Sequence, residues 1–224
     1  MKSFLLVLAM VVGAWAQDEV ALSSAFGAGE GVNGEVFAVL VQPDGKIVIG
    51  GRFSAVNGIA RSNIARLNAD GTLDRDFAEQ EGVNGQVNAL VLLPGGDIVA
   101  GGTFTQAGQR EIGNLARFRA SGEVDEGFGG TTDPGVNGGV FALAVQTDGK
   151  ILVGGNFNAV SGRPCRGLAR LNADGTFDAP EAAENPLSGT VRTIALGPDS
   201  WLVAGGEFTL ANQTARNIMR APTR

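Results

Sequence analysis

"QPDGKIVIGGRF", residues Gln42 to Phe53, decides the fold. Asp44-Gly45 is a tight-turn signal, because a hairpin needs positive φ and glycine supplies it without steric cost. An apolar strand follows, and it ends in Gly50-Gly51, although glycine weakens a strand interior. Nearly the same string returns as "QTDGKILVGGNF" at Gln146 to Phe157. The Gly-Gly pair recurs at Gly50-Gly51, Gly101-Gly102, Gly154-Gly155 and Gly205-Gly206, spaced by 51, 53 and 51 residues. A polar or charged residue and Phe follow each pair: Arg52-Phe53, Thr103-Phe104, Asn156-Phe157 and Glu207-Phe208.

Other positions keep this register. "GVNG" opens three units, at Gly31, Gly82 and Gly135, and "PLSG" at Pro186 opens the fourth. Apolar strands start at Val36, Val87, Val140 and Val191. A third strand reads "NIAR" at Asn63, "NLAR" at Asn114, "GLAR" at Gly167 and "NIMR" at Asn217. Turns of the type "NADGTLD" follow at Asn68, Arg119 and Asn172. Short strands rich in Val, Ile, Leu and Phe, separated by Asp-Gly turns, read as β throughout. A repeat of about 50 residues with four antiparallel strands is the size of a propeller blade. Strands apolar on both faces suit sheets packed between two neighbours. Gly-Gly then either removes side chains where the next blade approaches or forms a bulge that turns the strand.

The expected fold is an all-β, four-bladed β-propeller with about four antiparallel strands per blade. Repeats run at about 27–77, 78–128, 129–181 and 182–224. The fourth lacks the last element, while "LSSAF", Leu22 to Phe26, stands in register with "LDRDF" at Leu73 to Phe77. Residues 21–26 are therefore expected to complete the fourth blade and close the ring, which removes sheet edges. Closure within one chain gives a four-bladed monomer, the expected form. Closure between two chains would give an eight-bladed dimer.

The first 16 residues read differently. Lys2 is a charged n-region, Phe4 to Val12 an apolar core too short to span a bilayer, and Ala14-Trp15-Ala16 a small-x-small cleavage site. A secretory signal cut after Ala16 is expected, leaving 17–224 as one domain in a secreted or periplasmic location. No later run approaches transmembrane length, so no membrane association is expected. Cys165 is the one cysteine, so no intrachain disulfide forms, and a half-buried inert thiol is expected. A net charge of −6 argues against nucleic acid as a partner.

These motifs resemble the delta-60 repeat family, a domain of unknown function with an expected β-propeller fold. The resemblance covers Asn33 to Phe77 and Asn137 to Asp178 well. The second unit departs at "LPGGD" (Leu93 to Asp97) and "RASGE" (Arg119 to Glu123), and the fourth at "GPDSWLVAGG" from Gly197. It implies a fold and export, and no reaction.

The chain has no His and no Tyr, which excludes Ser-His-Asp and Cys-His catalysis, a tyrosine nucleophile and histidine-held zinc. No cofactor is expected. Carboxylates alone suffice for glycosidases, so a glycan hydrolase is an alternative, with Glu35, Glu111, Asp133 and Glu207 as non-repeating candidates. The Asn-x-Asp-Gly turns resemble half of a calcium loop, but Arg66 and Arg170 stand where an acid is wanted, so Asx-type turns are the expected reading. Arg66, Arg117, Arg170 and Arg220 occupy one position in all four units. As a set they would suit an anionic ligand; as a fold requirement each would pair with a turn Asp or with carbonyls and brace its blade. Trp201, at a turn where Lys46 and Lys150 stand elsewhere, is a further candidate ligand contact. The B–C and D–A loops vary most and are the expected binding face. The overall expectation is a non-catalytic binding or scaffold module for a protein or carbohydrate ligand. A purely structural protein-interaction domain is the other alternative.

Overall fold

The computed structural model describes residues 26, 29–79, 82–130, 135–178, 187–198, 201–211 and 216–222. They are all-β, with no helix among the described residues. The first repeat holds β1 (Glu35–Val41), β2 (Ile47–Arg52), a small hairpin of β3 (Ala55–Val56) and β4 (Ile59–Ala60), and β5 (Ile64–Leu67). The second holds β6 (Gln86–Leu92), β7 (Ile98–Thr103), β8 (Gln106–Ala107), β9 (Arg110–Glu111) and β10 (Leu115–Phe118). The third holds β11 (Val140–Val145), β12 (Ile151–Gly155), β13 (Ala159–Val160), β14 (Arg163–Pro164) and β15 (Leu168–Leu171). The fourth holds β16 (Leu187–Leu196), β17 (Trp201–Leu210) and β18 (Arg216–Pro222). Each repeat makes one three-stranded antiparallel sheet with the second strand in the middle: β1-β2-β5, β6-β7-β10, β11-β12-β15 and β16-β17-β18.

Two features differ from the sequence reading. The expected fourth strand of a blade is only a single bridge, Leu73 to Leu67, Val124 to Phe118 and Phe177 to Leu171 in the first three repeats. And the B–C loops contain the small hairpins. In the first, Asn57 (φ 49°) and Gly58 (φ 74°) form a two-residue turn between β3 and β4, the left-handed pair that a tight hairpin demands.

The two glycines of each Gly-Gly pair have different tasks. The first is a socket for the next sheet. A Cβ on Gly50 would lie 2.5 Å from Val87 Cγ1, one on Gly154 2.7 Å from Val191 Cγ1, and one on Gly101 would collide with Val140. Val87, Val140 and Val191 are each fully buried in these sockets. The second glycine lies at a β-bulge. In all four sheets the register slips by one residue beside it, at Val36/Ala38, Val87/Ala89, Val140/Ala142 and Val191/Thr193. A Cβ on Gly51 would strike the Glu35 carbonyl oxygen. Both uses anticipated for the pair are therefore present, one per residue.

Three buried apolar clusters fill the interfaces between consecutive sheets. One joins Val48, Ile64 and Phe77 of the first repeat to Val87, Ile98 and Phe118 of the second. The next joins the second and third repeats around Val99, Val140 and Ile151, and the next the third and fourth around Leu152, Val191 and Leu202. Each buried Val or Ile contributes roughly 1.5–3 kcal/mol relative to exposure. The Phe after each Gly-Gly is buried: Phe53, Phe104, Phe157 and Phe208.

The described sheets do not close on themselves. Val36, Val39 and Val41 on β1 are exposed, as are Val203 on β17 and Ile218 on β18. The strand expected to complete the fourth sheet, residues 21–26, lies outside the described residues except for Phe26. Phe26 is 46% exposed, whereas its counterparts Phe77 and Phe128 are buried. The signal segment, residues 1–16, also lies outside them.

Gly101→Ala should destabilise the protein by about 1–3 kcal/mol, since an extra methyl in a filled socket must displace Val140. Adding Val140→Ala should recover part of that loss, a coupling of more than roughly 0.5 kcal/mol in urea unfolding. Strict additivity would contradict the socket.

Candidate functional site

The recurring arginines project from the third strands, and the sheets fix their partners. Arg66 on β5 donates from Nε to Asp74 Oδ2 at 2.8 Å, and Lys46 Nζ reaches the same oxygen at 2.8 Å. Its Nη1 donates to the Ala120 carbonyl of the next repeat at 2.7 Å, and its guanidinium lies 4.4 Å from the Phe77 ring centre. Arg117 on β10 repeats this with Asp125 (Nε–Oδ2 2.7 Å), the Ala173 carbonyl (2.9 Å) and Phe128 (5.0 Å). Arg170 on β15 pairs with Asp178 at 2.5 Å, joined by Lys150 at 3.1 Å. The brace thus works within a sheet through the carboxylate and, for Arg66 and Arg117, between sheets through the carbonyl.

Where the sequence changes, the charges change together. The second repeat has Asp97 in place of Lys46, and Arg119 supplies the second cation, 3.4 Å from Asp125. In the fourth repeat the described residues hold no carboxylate partner for Arg220. There Trp201 replaces the lysine, and the Arg220 guanidinium stacks 4.3 Å from its ring centre.

Burial pushes the Asp74 carboxyl up, but hydrogen bonds and charge from Lys46 and Arg66 outweigh it and hold Asp74 below the ordinary carboxylate range. Asp125 is held down in the same way against burial by Arg117, the Gly127 amide and Arg119, and Asp178 by Lys150 and Arg170. In the turns, Asp70 accepts from Thr72 N (2.9 Å) and Oγ1 (2.7 Å), which lowers its pKa. Asp174 does the same with Thr176. These are Asx turns. Among the described residues no group of three or more His, Cys, Asp or Glu is placed to hold a metal ion.

The non-repeating carboxylates do not gather. Glu35 pairs with Arg52, and Glu207 Oε1 with Arg192 Nη2 at 2.8 Å, both pairs exposed. Glu111 ends the small hairpin strand β9, and Asp133 lies outside the described residues. Cys165 is buried, its Sγ 3.1 Å from the Leu168 carbonyl oxygen.

A hollow of about 750 Å³ runs along the β1–β2 and β6–β7 turns. Gln42, Lys46 and Arg66 line one side and Leu92, Pro94 and Gly96 the other. The variable loops, the expected binding face, frame recesses of their own. One of about 560 Å³ lies by Pro164, Arg166 and Ser188, and one of about 380 Å³ by Asn33, Ser62 and Asn63. The sequence signal for this groove was the departure "LPGGD", where Gly95 (φ 112°) and Gly96 (φ 97°) replace the usual Asp-Gly and remove the Asp side chain from its wall.

A family model described as a domain of unknown function (DUF5122) beta-propeller matches residues 42–77, 94–128 and 146–179. Three of the four repeats thus resemble that β-propeller repeat. Each DUF5122 match contains both the Gly-Gly pair and the Arg–Asp brace, so the family pattern is the structural frame of a blade. No curated protein matches the chain. Solved structures similar to it include one titled streptogramin B lyase (TM-score 0.48, 15% identity, 84% of this chain and 54% of that one). Others are a protein of unknown function from Bacteroides caccae (0.41, 13%, 84% and 64%) and PorZ, a surface component of the type-IX secretion system of Porphyromonas gingivalis (0.44, 15%, 79% and 25%). This chain spans less than two thirds of each of these proteins.

Because the folded pKa values of Asp74, Asp125 and Asp178 are depressed, the stability they contribute is present above the unfolded value of about 3.9 and is lost as pH falls through the lower folded values. The melting temperature should be steady from pH 7 to 5 and fall below about pH 4. Asp74→Asn should lower it at pH 7 by roughly 6–12 °C, from about 3 kcal/mol for breaking a buried pair, and flatten the acid limb. An unchanged acid limb would contradict the brace.

Proposed function

We propose that this protein is exported and acts as a non-catalytic binding or scaffold module whose ligand lies in the groove between the first two sheets. The observation that carries the reading is the meeting of two unlike turns in that groove. The first repeat supplies Gln42, Asp44 and Lys46 to the lining, and the second supplies Leu93, Pro94 and Gly95. The third repeat keeps the first one's Gln, Asp and Lys as Gln146, Asp148 and Lys150, so the apolar wall is particular to the second repeat. Of the five residues read as ligand contacts, Arg66 lines this groove, beside Lys46. Two cations share the single carboxylate of Asp74 there, next to an apolar wall of Leu92, Leu93 and Pro94. A ligand with an anionic edge and an apolar face, such as an acidic oligosaccharide or an acidic peptide segment, suits that lining.

A catalytic role has less support. A general acid must be protonated at working pH, and the repeated Asp residues are held ionised by their partners.

Arrayed acidic and neutral oligosaccharides should show saturable binding without release of reducing ends, and Lys46→Ala should weaken it about tenfold. Release of reducing ends would turn the reading to a glycan hydrolase. Retention of proteins alone, unaffected by Lys46→Ala, would turn it to a structural interaction domain. Export is checked separately: the N-terminus of the protein recovered outside the cytoplasm should be Gln17, and recovery of an intact Met1 chain from the cytoplasm would overturn it.

A further inference from the structure

The exposed apolar residues of the two end sheets are the two halves of one interface. Inside the molecule, each sheet offers a row of knobs from its first strand. Val87 and Leu90 reach Gly50, Val140 and Leu143 reach Gly101, and Val191 and Ile194 reach Gly154. On β1 the same register positions are Val36 and Val39, followed by Val41, and they are 39%, 65% and 65% exposed.

The sockets show the same mismatch at the other end. Gly50 sits beside Val48 and pairs with Ile64, both fully buried under the second sheet. Gly101 with Val99 and Leu115, and Gly154 with Leu152 and Leu168, repeat that socket. In the fourth sheet the socket is Gly205, Val203 and Ile218. Val203 is 36% and Ile218 62% exposed, and among the described residues a Cβ on Gly205 would meet only Thr193 and Asn217 of its own sheet.

The polar clamps of the interface are duplicated as well. Asn63 and Asn114, both at positive φ, donate from Nδ2 to Val83 O (2.8 Å) and Val136 O (2.7 Å) of the following repeat. Asn217 has the same left-handed conformation (φ 65°) at the matching position of the fourth sheet. Arg66 and Arg117 cross to the carbonyls of Ala120 and Ala173 in the next repeat. Arg220 holds their position in the fourth sheet.

We infer that a second copy of this chain docks head-to-tail on these surfaces, Val36 and Val39 of each copy entering the Gly205 socket of the other, in a closed ring of two chains. The partner must present the knob row that the socket is shaped for, and a second copy presents it in the same register as the internal interfaces. The contact is heterologous, one face against a different face, so it closes as a ring only when the rotation per sheet completes the circle. Asn217 and Arg220 then face the counterparts of Val83 and Ala120 in the other copy, Val32 and Ala69. This departs from the four-bladed monomer expected from sequence.

The test is the mass in solution of the full exported chain at micromolar concentration, by light scattering, with two variants. The wild type should have the mass of two chains. Val39→Glu removes the knob and Ile218→Glu the socket. Each alone should be a folded monomer with an unaltered circular dichroism spectrum, because both residues are exposed in the single chain. An equimolar mixture of the two should recover dimers, because one retains the socket and the other the knob. A wild-type monomer overturns the inference, as does a ladder of higher masses or a variant that remains dimeric. A monomer whose melting temperature falls with Val39→Glu overturns it in favour of closure within one chain.

Discussion

The fit of a valine into the space left by a missing side chain holds this structure in series. A sheet apolar on both faces is unstable alone, and here the second, third and fourth each bury their first strand against the middle strand of the sheet before. Only glycine at the centre of the receiving strand allows the approach, since any Cβ would occupy the volume taken by Val87, Val140 or Val191. The neighbouring glycine permits the bulge that turns the strand, and the Phe three residues after the first glycine is buried behind it. The arrangement is specified once and copied.

The Arg–Asp–aromatic brace secures the far edge of the same sheets. In a half-buried site an unpaired Asp would be costly, so two cations accompany each one, by whichever residues the repeat supplies: Lys46 with Arg66, Arg117 with Arg119, Lys150 with Arg170. In the fourth sheet the residue at the lysine position is Trp201, and its ring lies under the Arg220 guanidinium.

Much of this was legible in the sequence because it recurs. The three main strands of each repeat, the register of the Gly-Gly pairs and the buried Phe positions follow from alignment of the chain with itself. The small hairpins were not read, though Asn57-Gly58 carries a hairpin-turn signature, because two-residue strands are too short to show a period. The reduction of the last strand to one bridge was hidden for a related reason. Leu73 and Phe77 bury their side chains whether or not the backbone between them pairs. The bracing alternative for Arg66, Arg117 and Arg170 was named from residue type, but the carbonyl of the next repeat was not, since it depends on how sheets stack. The groove left only the trace of Gly95-Gly96. Whether a ring closes depends on the rotation from sheet to sheet, a quantity set by small packing differences that no residue pattern spells out.

Apolar contact runs between consecutive sheets, so the energetics approach those of a one-dimensional chain of coupled units. Within a single chain the second and third sheets are held from both sides and the first and fourth from one, so amide hydrogens in β7 and β12 belong to the slowest-exchanging class, while protection of β18 depends on what covers its outer face. Cys165, buried within the second interface cluster, lies in the protected interior of this gradient, and the rate at which a thiol reagent reaches it is a direct clock for the breathing of the stack.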